Sequence, residues 1–145
     1  MSATPVADCF LDTNVLLYAV STDPAEADKT QIARGLVQAK DWAWSAQVAA
    51  EFIRAGTSPR KSKPLTRAEA RRWVETWMAF PMAPVDGPLV LEAVQISERF
   101  QTSHFDAQIL AAAKRMSCAT LYAEDLNHGQ DYGGVRVVNP FLAES

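Results

Sequence analysis

The stretch FLDTNVLLYA, residues 10–19, decides the fold that this sequence predicts. The apolar run 9–11 is typical of a short, fully buried strand, and Asp12 ends it. Apolar residues continue from Val15 without a turn signal, so a helix should follow the strand directly. This places a carboxylate at the carboxyl end of a buried strand, the edge at which open parallel sheets bind ligands. Asp12 could equally be a helix cap, helped by Asn14, so other acidic residues must decide between the two.

Length and composition indicate one globular domain over residues 1–145. A chain near 150 residues buries roughly 70% of its unfolded surface. A hydrophobic content of 48% and a charged content of 21% are ordinary for such a domain. No apolar run approaches the roughly 20 residues that span a bilayer, and the N-terminus lacks a secretory pattern, so we expect a cytoplasmic protein with no membrane partner. Cys9 and Cys118 lie in apolar contexts and should be buried thiols.

Basic residues are concentrated in one segment of a chain whose formal net charge is −3. Seven of the 14 Lys and Arg residues lie between positions 54 and 72. A local basic face suits a polyanion held at one place, although a solvated loop and helix surface produces the same pattern. The candidate RNA-binding or phosphate-binding residues are Arg54, Arg60, Lys61, Lys63, Arg67, Arg71 and Arg72.

Helical and strand patterns alternate along the chain, which favours an α/β/α sandwich around a short parallel sheet with right-handed crossovers. Short strands are predicted near 42–44, 82–85, 120–122 and 135–138. Helices are predicted over 24–40 and from Ser45, Thr66, Pro88 and Ser103 onward. In the helix that Thr66 opens, the expected buried face consists of Ala70, Trp73, Val74, Trp77 and Met78.

Four acidic residues occupy unusual places in this pattern. Asp12 and Asp125 each follow a strand, Glu51 lies on an apolar helix stripe, and Asp106 lies in the first turn of an apolar helix. In a parallel sheet the first two share an edge, but the sequence does not determine which end of the last helix approaches it. Each acid also has an ordinary reading. Asp106 could belong to a capping box with Ser103, Glu51 could pair with Arg54, and Asp125 could form a turn.

Convergence of these carboxylates would be costly without a cation. Two charges about 6 Å apart repel by roughly 3 kcal/mol at an effective dielectric near 20. Oxygen-only ligation, with no His or Cys among the candidates, favours Mg²⁺ or Mn²⁺. An ion of this kind supports hydrolysis of a phosphodiester by an activated water, and the basic segment would contact the nucleic acid backbone.

Four motifs together resemble the PIN-domain ribonucleases, and more narrowly the VapC-type toxins of bacterial toxin–antitoxin pairs. The motifs are FLDTNVLLYA, QVAAEF, SHFDAQILAAA and the segment from LYAEDLNHGQ to VVNPF, in the family's order and spacing. The resemblance implies a PIN-like fold, a Mg²⁺- or Mn²⁺-dependent endoribonuclease and a VapB-like antitoxin. It also implies a homodimer, in which Trp73 and Trp77 could lie at the dimer face, in the antitoxin groove or in the core.

The resemblance also assigns roles to individual residues. Asp12 and Asp106 would be the principal metal ligands, and Glu51 would bind the metal or orient the attacking water. Asp125 would complete the acidic pocket and Asn14 would support Asp12. Many members of the family carry Ser or Thr two residues before the fourth acid, where this chain has Ala123, so Glu124 is a rival for that role.

The preferred function is therefore a toxin-like endoribonuclease acting on tRNA, rRNA or mRNA. A noncatalytic RNA- or protein-binding module with the same fold is the alternative. A metal-dependent phosphatase is disfavoured by Asn14, because aspartyl-phosphate enzymes require a second aspartate at that position. We expect His104 and His128 to be surface loop residues, since metal-assisted hydrolysis does not require a histidine base.

Overall fold

The computed structural model describes residues 7–142, which form a five-stranded parallel sheet with helices on both faces. Its strands are β1 (Cys9–Leu11), β2 (Trp42–Ser45), β3 (Met82–Ala83), β4 (Thr120–Tyr122) and β5 (Arg136–Val138). Its α-helices are α1 (Thr13–Val20), α2 (Ala27–Gln38), α3 (Ala46–Gly56), α4 (Arg67–Trp77), α5 (Gly87–Phe100) and α6 (His104–Arg115).

The sheet order β3-β2-β1-β4-β5 explains how the helices form two layers. The chain moves from β1 outward to β3 and then crosses back to β4. Right-handed crossovers therefore place α1 to α4 on one face and α5 with α6 on the other. The observed helix contacts agree, because α1 packs on α2 and α3, α3 packs on α4, and α5 packs on α6. This arrangement confirms the expected α/β/α sandwich.

The central position of β1 follows from its sequence. All three of its residues are buried, and it pairs in parallel with β2 on one side and β4 on the other. Parallel strands covered by helices on both faces need apolar side chains at every position rather than at alternate ones. Leu11 is opposite Tyr122 of β4, so the chain leaves both strands at the same edge.

Helix α6 lies in the core, as its sequence predicts. Residues 107–113 are all buried, and the small side chains of Ala111, Ala112 and Ala113 allow close packing against the sheet. Ser103 caps the helix by accepting a hydrogen bond from the Asp106 amide at 3.2 Å. Both cysteines are buried free thiols, as expected.

Several predictions of local structure need correction. The predicted helix over 24–40 begins as a 3₁₀ turn, Pro24–Glu26, because Asp23 caps that turn before α2 starts. On α4, Trp77 is buried but Trp73 is 39% and Met78 56% exposed, so the predicted buried face is narrower than its apolar residues suggest. The remaining strands and helices lie where their patterns predict them, with boundaries that differ by a few residues.

Aromatic packing between β2 and α4 closes the core at one side of the sheet. Trp42 and Trp44 are fully buried on one face of β2, and each meets the Trp77 ring edge-on, with ring centroids 6.3 and 6.0 Å apart. The two indoles differ in one respect. The Nε1–H of Trp42 donates to the Val37 carbonyl at 3.1 Å, whereas Nε1 of Trp44 has no hydrogen-bond partner among the described residues.

This difference predicts unequal costs for two similar substitutions. Trp42→Phe and Trp44→Phe remove the same atoms from neighbouring buried positions, but only Trp42→Phe also removes a hydrogen bond. We therefore expect Trp42→Phe to lower the free energy of unfolding by about 1 kcal/mol more than Trp44→Phe. Urea denaturation of both variants measures the difference. Equal losses, or a larger loss for Trp44→Phe, would contradict this account of the two indoles.

Candidate active site

The four acidic residues singled out by sequence line one cavity of about 250 Å³ at the carboxyl edge of the sheet. Asp12 follows β1, Glu51 comes from α3, Asp106 from the first turn of α6, and Asp125 from the segment after β4. The structure therefore resolves the open orientation of α6, whose N-terminal end approaches this edge. Thr13, Asn14, Gln47 and Arg54 also contribute to the cavity wall.

Asp12 is held at the base of the cavity by the start of α1. Its Oδ1 accepts a hydrogen bond from the Thr13 amide at 2.7 Å, so the capping role considered from sequence is real. Capping does not account for its electrostatics, however. Burial, together with the negative charges of Glu51, Asp106 and Asp125, raises the pKa of Asp12 from 3.8 to about 7, although the Thr13 amide acts in the opposite direction.

Glu51 is oriented by hydrogen bonds from two different helices. Thr13 Oγ1 donates to Glu51 Oε2 at 3.0 Å, and Gln47 Nε2 donates to Glu51 Oε1 at 3.1 Å. The pairing of Glu51 with Arg54 considered from sequence is not found. Arg54 lies on the cavity wall instead, as an exposed cation beside the acidic residues.

Glu124 and Asp125, the two candidates for the fourth acid, have different surroundings in the segment after β4. Glu124 forms an ion pair with Lys29 Nζ at 2.6 Å and accepts a hydrogen bond from the Tyr18 hydroxyl at 3.1 Å. Asp125 lines the acidic cavity and accepts a hydrogen bond from Asn14 Nδ2 at 3.1 Å. Asn14 thus contacts Asp125 rather than Asp12, the residue that the resemblance assigned to it.

The cations of the basic segment have different surroundings. Of its seven cations, Arg54 lines the acidic cavity, while Arg71 pairs with Glu75 at 2.8 Å. Lys61 and Lys63 line a separate cavity of about 320 Å³ with Asp23, whose pKa is lowered by hydrogen bonds from Ala25 and Ser62 and by these two lysines. Arg60, Arg67 and Arg72 are exposed.

The two histidines have different surroundings. His128 is exposed in the segment before β5, and its Nδ1 accepts a hydrogen bond from the Asn139 amide at 3.0 Å. The prediction that His104 is a surface loop residue is wrong, because His104 is the first residue of α6. Its half-buried ring is 2.7 Å from Gln108 Oε1, because Ser103 caps α6 and residues four apart on a helix lie on the same face.

Sequence reasoning missed three residues that shape the site. Thr13, Gln47 and Gln108 are polar side chains that hydrogen-bond to one another or to Glu51 across three helices. The one available signal was polar residues within apolar helix segments, in particular Gln108 among buried neighbours on α6.

The chemistry of the donors fits a hard divalent cation, but the ligands are not preassembled. Within residues 7–142, no three Asp, Glu, His or Cys side chains are grouped closely enough to hold a metal ion directly. Magnesium commonly uses only one or two carboxylates and keeps several waters, so this geometry remains compatible with it. Burial is the main cause of the raised pKa of Asp12, and the negative charges of the other three acids raise it further.

Several solved structures have a fold similar to that of this chain. A toxin–antitoxin complex from Klebsiella pneumoniae contains a chain of similar fold, with a TM-score of 0.66 and 18% identity over 92% of this chain and 98% of that one. The VapC20 toxin of Mycobacterium tuberculosis, which cleaves the sarcin–ricin loop, has a TM-score of 0.64 and 19% identity over 81% of this chain and 89% of that one.

A third similar structure is VapBC2 from Rickettsia felis bound to a fragment of promoter DNA. Its TM-score is 0.59, with 13% identity over 89% of this chain and 96% of that one. No curated protein sequence is significantly similar to this chain. Residues 9–130, most of the sequence, match the PIN domain. The chain therefore belongs to the PIN domain family.

Proposed function

We propose that this PIN domain is a metal-dependent endoribonuclease and the toxin of a VapBC-like toxin–antitoxin pair. The observation that carries the proposal is the single cavity lined by Asp12, Glu51, Asp106 and Asp125. The similar folds of toxin–antitoxin proteins, one of which cleaves the sarcin–ricin loop, support RNA as the substrate and a VapB-like antitoxin as the partner.

The positions of the four acids support a separate role for each. Asp12 and Asp106 would hold Mg²⁺ or Mn²⁺ at the base of the cavity, with Asp125 near its exposed side. The cation, when bound, supplies positive charge against the phosphate and makes water a better nucleophile. Glu51, fixed by Thr13 and Gln47, would orient the attacking water and accept its proton. The water oxygen forms a bond to phosphorus while one P–O ester bond breaks.

Two other proposals concern surfaces. Arg54, next to the acids, is placed to contact a phosphate that has entered the cavity. Exposed apolar side chains, which include Leu91 at 68% and Trp73 at 39% exposure, would be covered in a homodimer or by the antitoxin.

None of the helices within residues 7–142 has the length and apolar character that a membrane span requires.

A noncatalytic binding module with the same fold is the second candidate. The absence of a preassembled three-ligand group within residues 7–142 favours it, because a degenerate site would retain acids without their coordination geometry. The two candidates differ in one measurable property, which is metal-dependent turnover of RNA.

Loss of turnover without loss of stability is expected for Asp106→Asn. The Asn side chain keeps the size of Asp106 and removes one of the repelling charges, so the metal-free melting temperature should stay constant or rise. Mg²⁺-dependent RNA cleavage should fall by at least about 100-fold, as measured with a labelled RNA substrate. Cleavage that survives both Asp106→Asn and Asp12→Asn would refute this site. A marked drop in melting temperature would show that Asp106 serves the helix cap.

The stability of the metal-free protein should depend on pH through Asp12. The folded pKa of about 7 exceeds the ordinary aspartate pKa of 3.8, so the protonated form is favoured by folding. That contribution is complete below about pH 4 and is lost as pH rises through 7. Asp12→Asn should therefore match the wild type near pH 4 and become more stable by an amount on the order of a few kcal/mol above pH 7.

Thermal melting of both proteins in EDTA between pH 4 and 8 tests this expectation. Asp28→Asn is the matched control, because Asp28 is exposed in the first turn of α2. Removal of its charge from a helix N-terminus should slightly lower stability at pH 8. A constant difference between Asp12→Asn and the wild type across the pH range would contradict the electrostatic account of the cavity.

Arg54 should contribute more to RNA binding than Arg71, which is already paired with Glu75. In an Asp106→Asn background, which keeps the RNA intact, Arg54→Gln should weaken binding and reduce the salt slope of log affinity by about 1. Arg71→Gln should change both quantities much less. Fluorescence anisotropy at several salt concentrations measures the slopes, and equal effects of the two variants would argue against a phosphate contact at Arg54.

A further inference from the structure

The side-chain amide of Gln47 links α3 to α6 at the wall of the acidic cavity. Its Nε2 donates to Glu51 Oε1 and to the backbone carbonyl of Phe105, both at 3.1 Å. Its Oε1 accepts a hydrogen bond from Gln108 Nε2 at 2.8 Å. Both amide protons and the carbonyl oxygen of this side chain are therefore in use, which leaves it a single orientation.

Gln108 braces Gln47 from inside the protein. It is only 6% exposed and lies on α6 among buried apolar neighbours. Its Oε1 is 2.7 Å from His104 Nε2, so both ends of its amide are paired. A buried amide of this kind is destabilising unless its hydrogen bonds are made, so the pair is held firmly in this arrangement.

Gln47 and Thr13 hold the two oxygens of the Glu51 carboxylate from different helices. Thr13 donates to one carboxylate oxygen from α1, and Gln47 donates to the other from α3. The plane of the carboxylate is thereby fixed. The bond from Gln47 to the Phe105 carbonyl also holds the residue that directly precedes Asp106.

We propose that Gln47, braced by Gln108, is a positioning residue that sets the orientation of Glu51 and the placement of Asp106 in the cavity. This inference rests on the proposed nuclease function and deepens it. Groups that orient the ligands of a metal site commonly affect affinity or activity by about 10–100-fold when they are replaced. A purely structural link between α3 and α6 would change stability without that effect.

The first test replaces the amide with a side chain of similar size. Gln47→Met should reduce kcat for Mg²⁺-dependent RNA cleavage by about 10–100-fold, with the KM for RNA within about twofold of the wild type. Gln95→Met, an exposed position on α5, is the control and should leave both constants unchanged. If Gln47→Met fails to fold, Gln108→Met removes the brace instead, with the same direction and a smaller loss.

A double-mutant cycle separates positioning from structure. In a Glu51→Gln background the carboxylate that Gln47 orients is absent, so Gln47→Met should reduce kcat by a smaller factor than it does in the wild type, and the loss that remains acts through Asp106. Losses that simply multiply would overturn the proposal, because they would show that Gln47 acts independently of Glu51.

Binding of Mn²⁺, followed by electron paramagnetic resonance, provides a readout that does not depend on turnover. Gln47→Met should raise the Mn²⁺ dissociation constant by about tenfold, and Gln95→Met should not. A wild-type protein that binds Mn²⁺ but cleaves no RNA would refute the nuclease function and leave this prediction in force. If Gln47→Met keeps the Mn²⁺ affinity and the kcat of the wild type, the positioning role alone is refuted. If the wild type neither binds Mn²⁺ nor cleaves RNA, the positioning role and the nuclease function are both refuted.

Discussion

Negative charge confined at the end of a buried strand is the constraint on which the site depends. Asp12 lies where β1 ends, in the centre of the sheet, so its carboxylate is only partly accessible to water. Three further acids line the same cavity and contribute to the raised pKa of Asp12. Negative charge that is crowded in this way destabilises the ionised protein unless a bound group compensates it. A divalent cation, which we propose binds in this cavity, would replace the repulsion with attraction.

The parallel sheet supplies the geometry that gathers these charges. Because Leu11 and Tyr122 are paired in register, the residues that follow β1 and β4 leave the sheet side by side. The right-handed return from β3 brings the N-terminal end of α6 to the same edge, and with it Asp106. Backbone topology thus brings Asp12, Asp106 and Asp125, which are far apart in sequence, to one edge of the sheet, where Glu51 of α3 joins them.

Around the acids lies a layer of neutral polar side chains that controls their orientation. Glu51 has hydrogen-bond donors on both oxygens, and Asn14 donates to Asp125. Glu124 is kept apart by Lys29 and Tyr18, so two adjacent carboxylates after β4 have different surroundings. This division of neighbours is a property of the folded arrangement, since residues 124 and 125 are equivalent as acids in the sequence.

Sequence by itself determined the alternation of helices and strands and the buried character of β1 and α6, and it singled out the four acids that line the cavity. It could do so because apolar periodicity and a charge inside an apolar pattern are local signals. The exposure of Trp73, the isolation of Glu124 and the network through Gln47 and Gln108 were decided only by tertiary structure. Each depends on which side chains from other elements come within hydrogen-bonding or packing distance, and spacing along one helix contains no record of those partners.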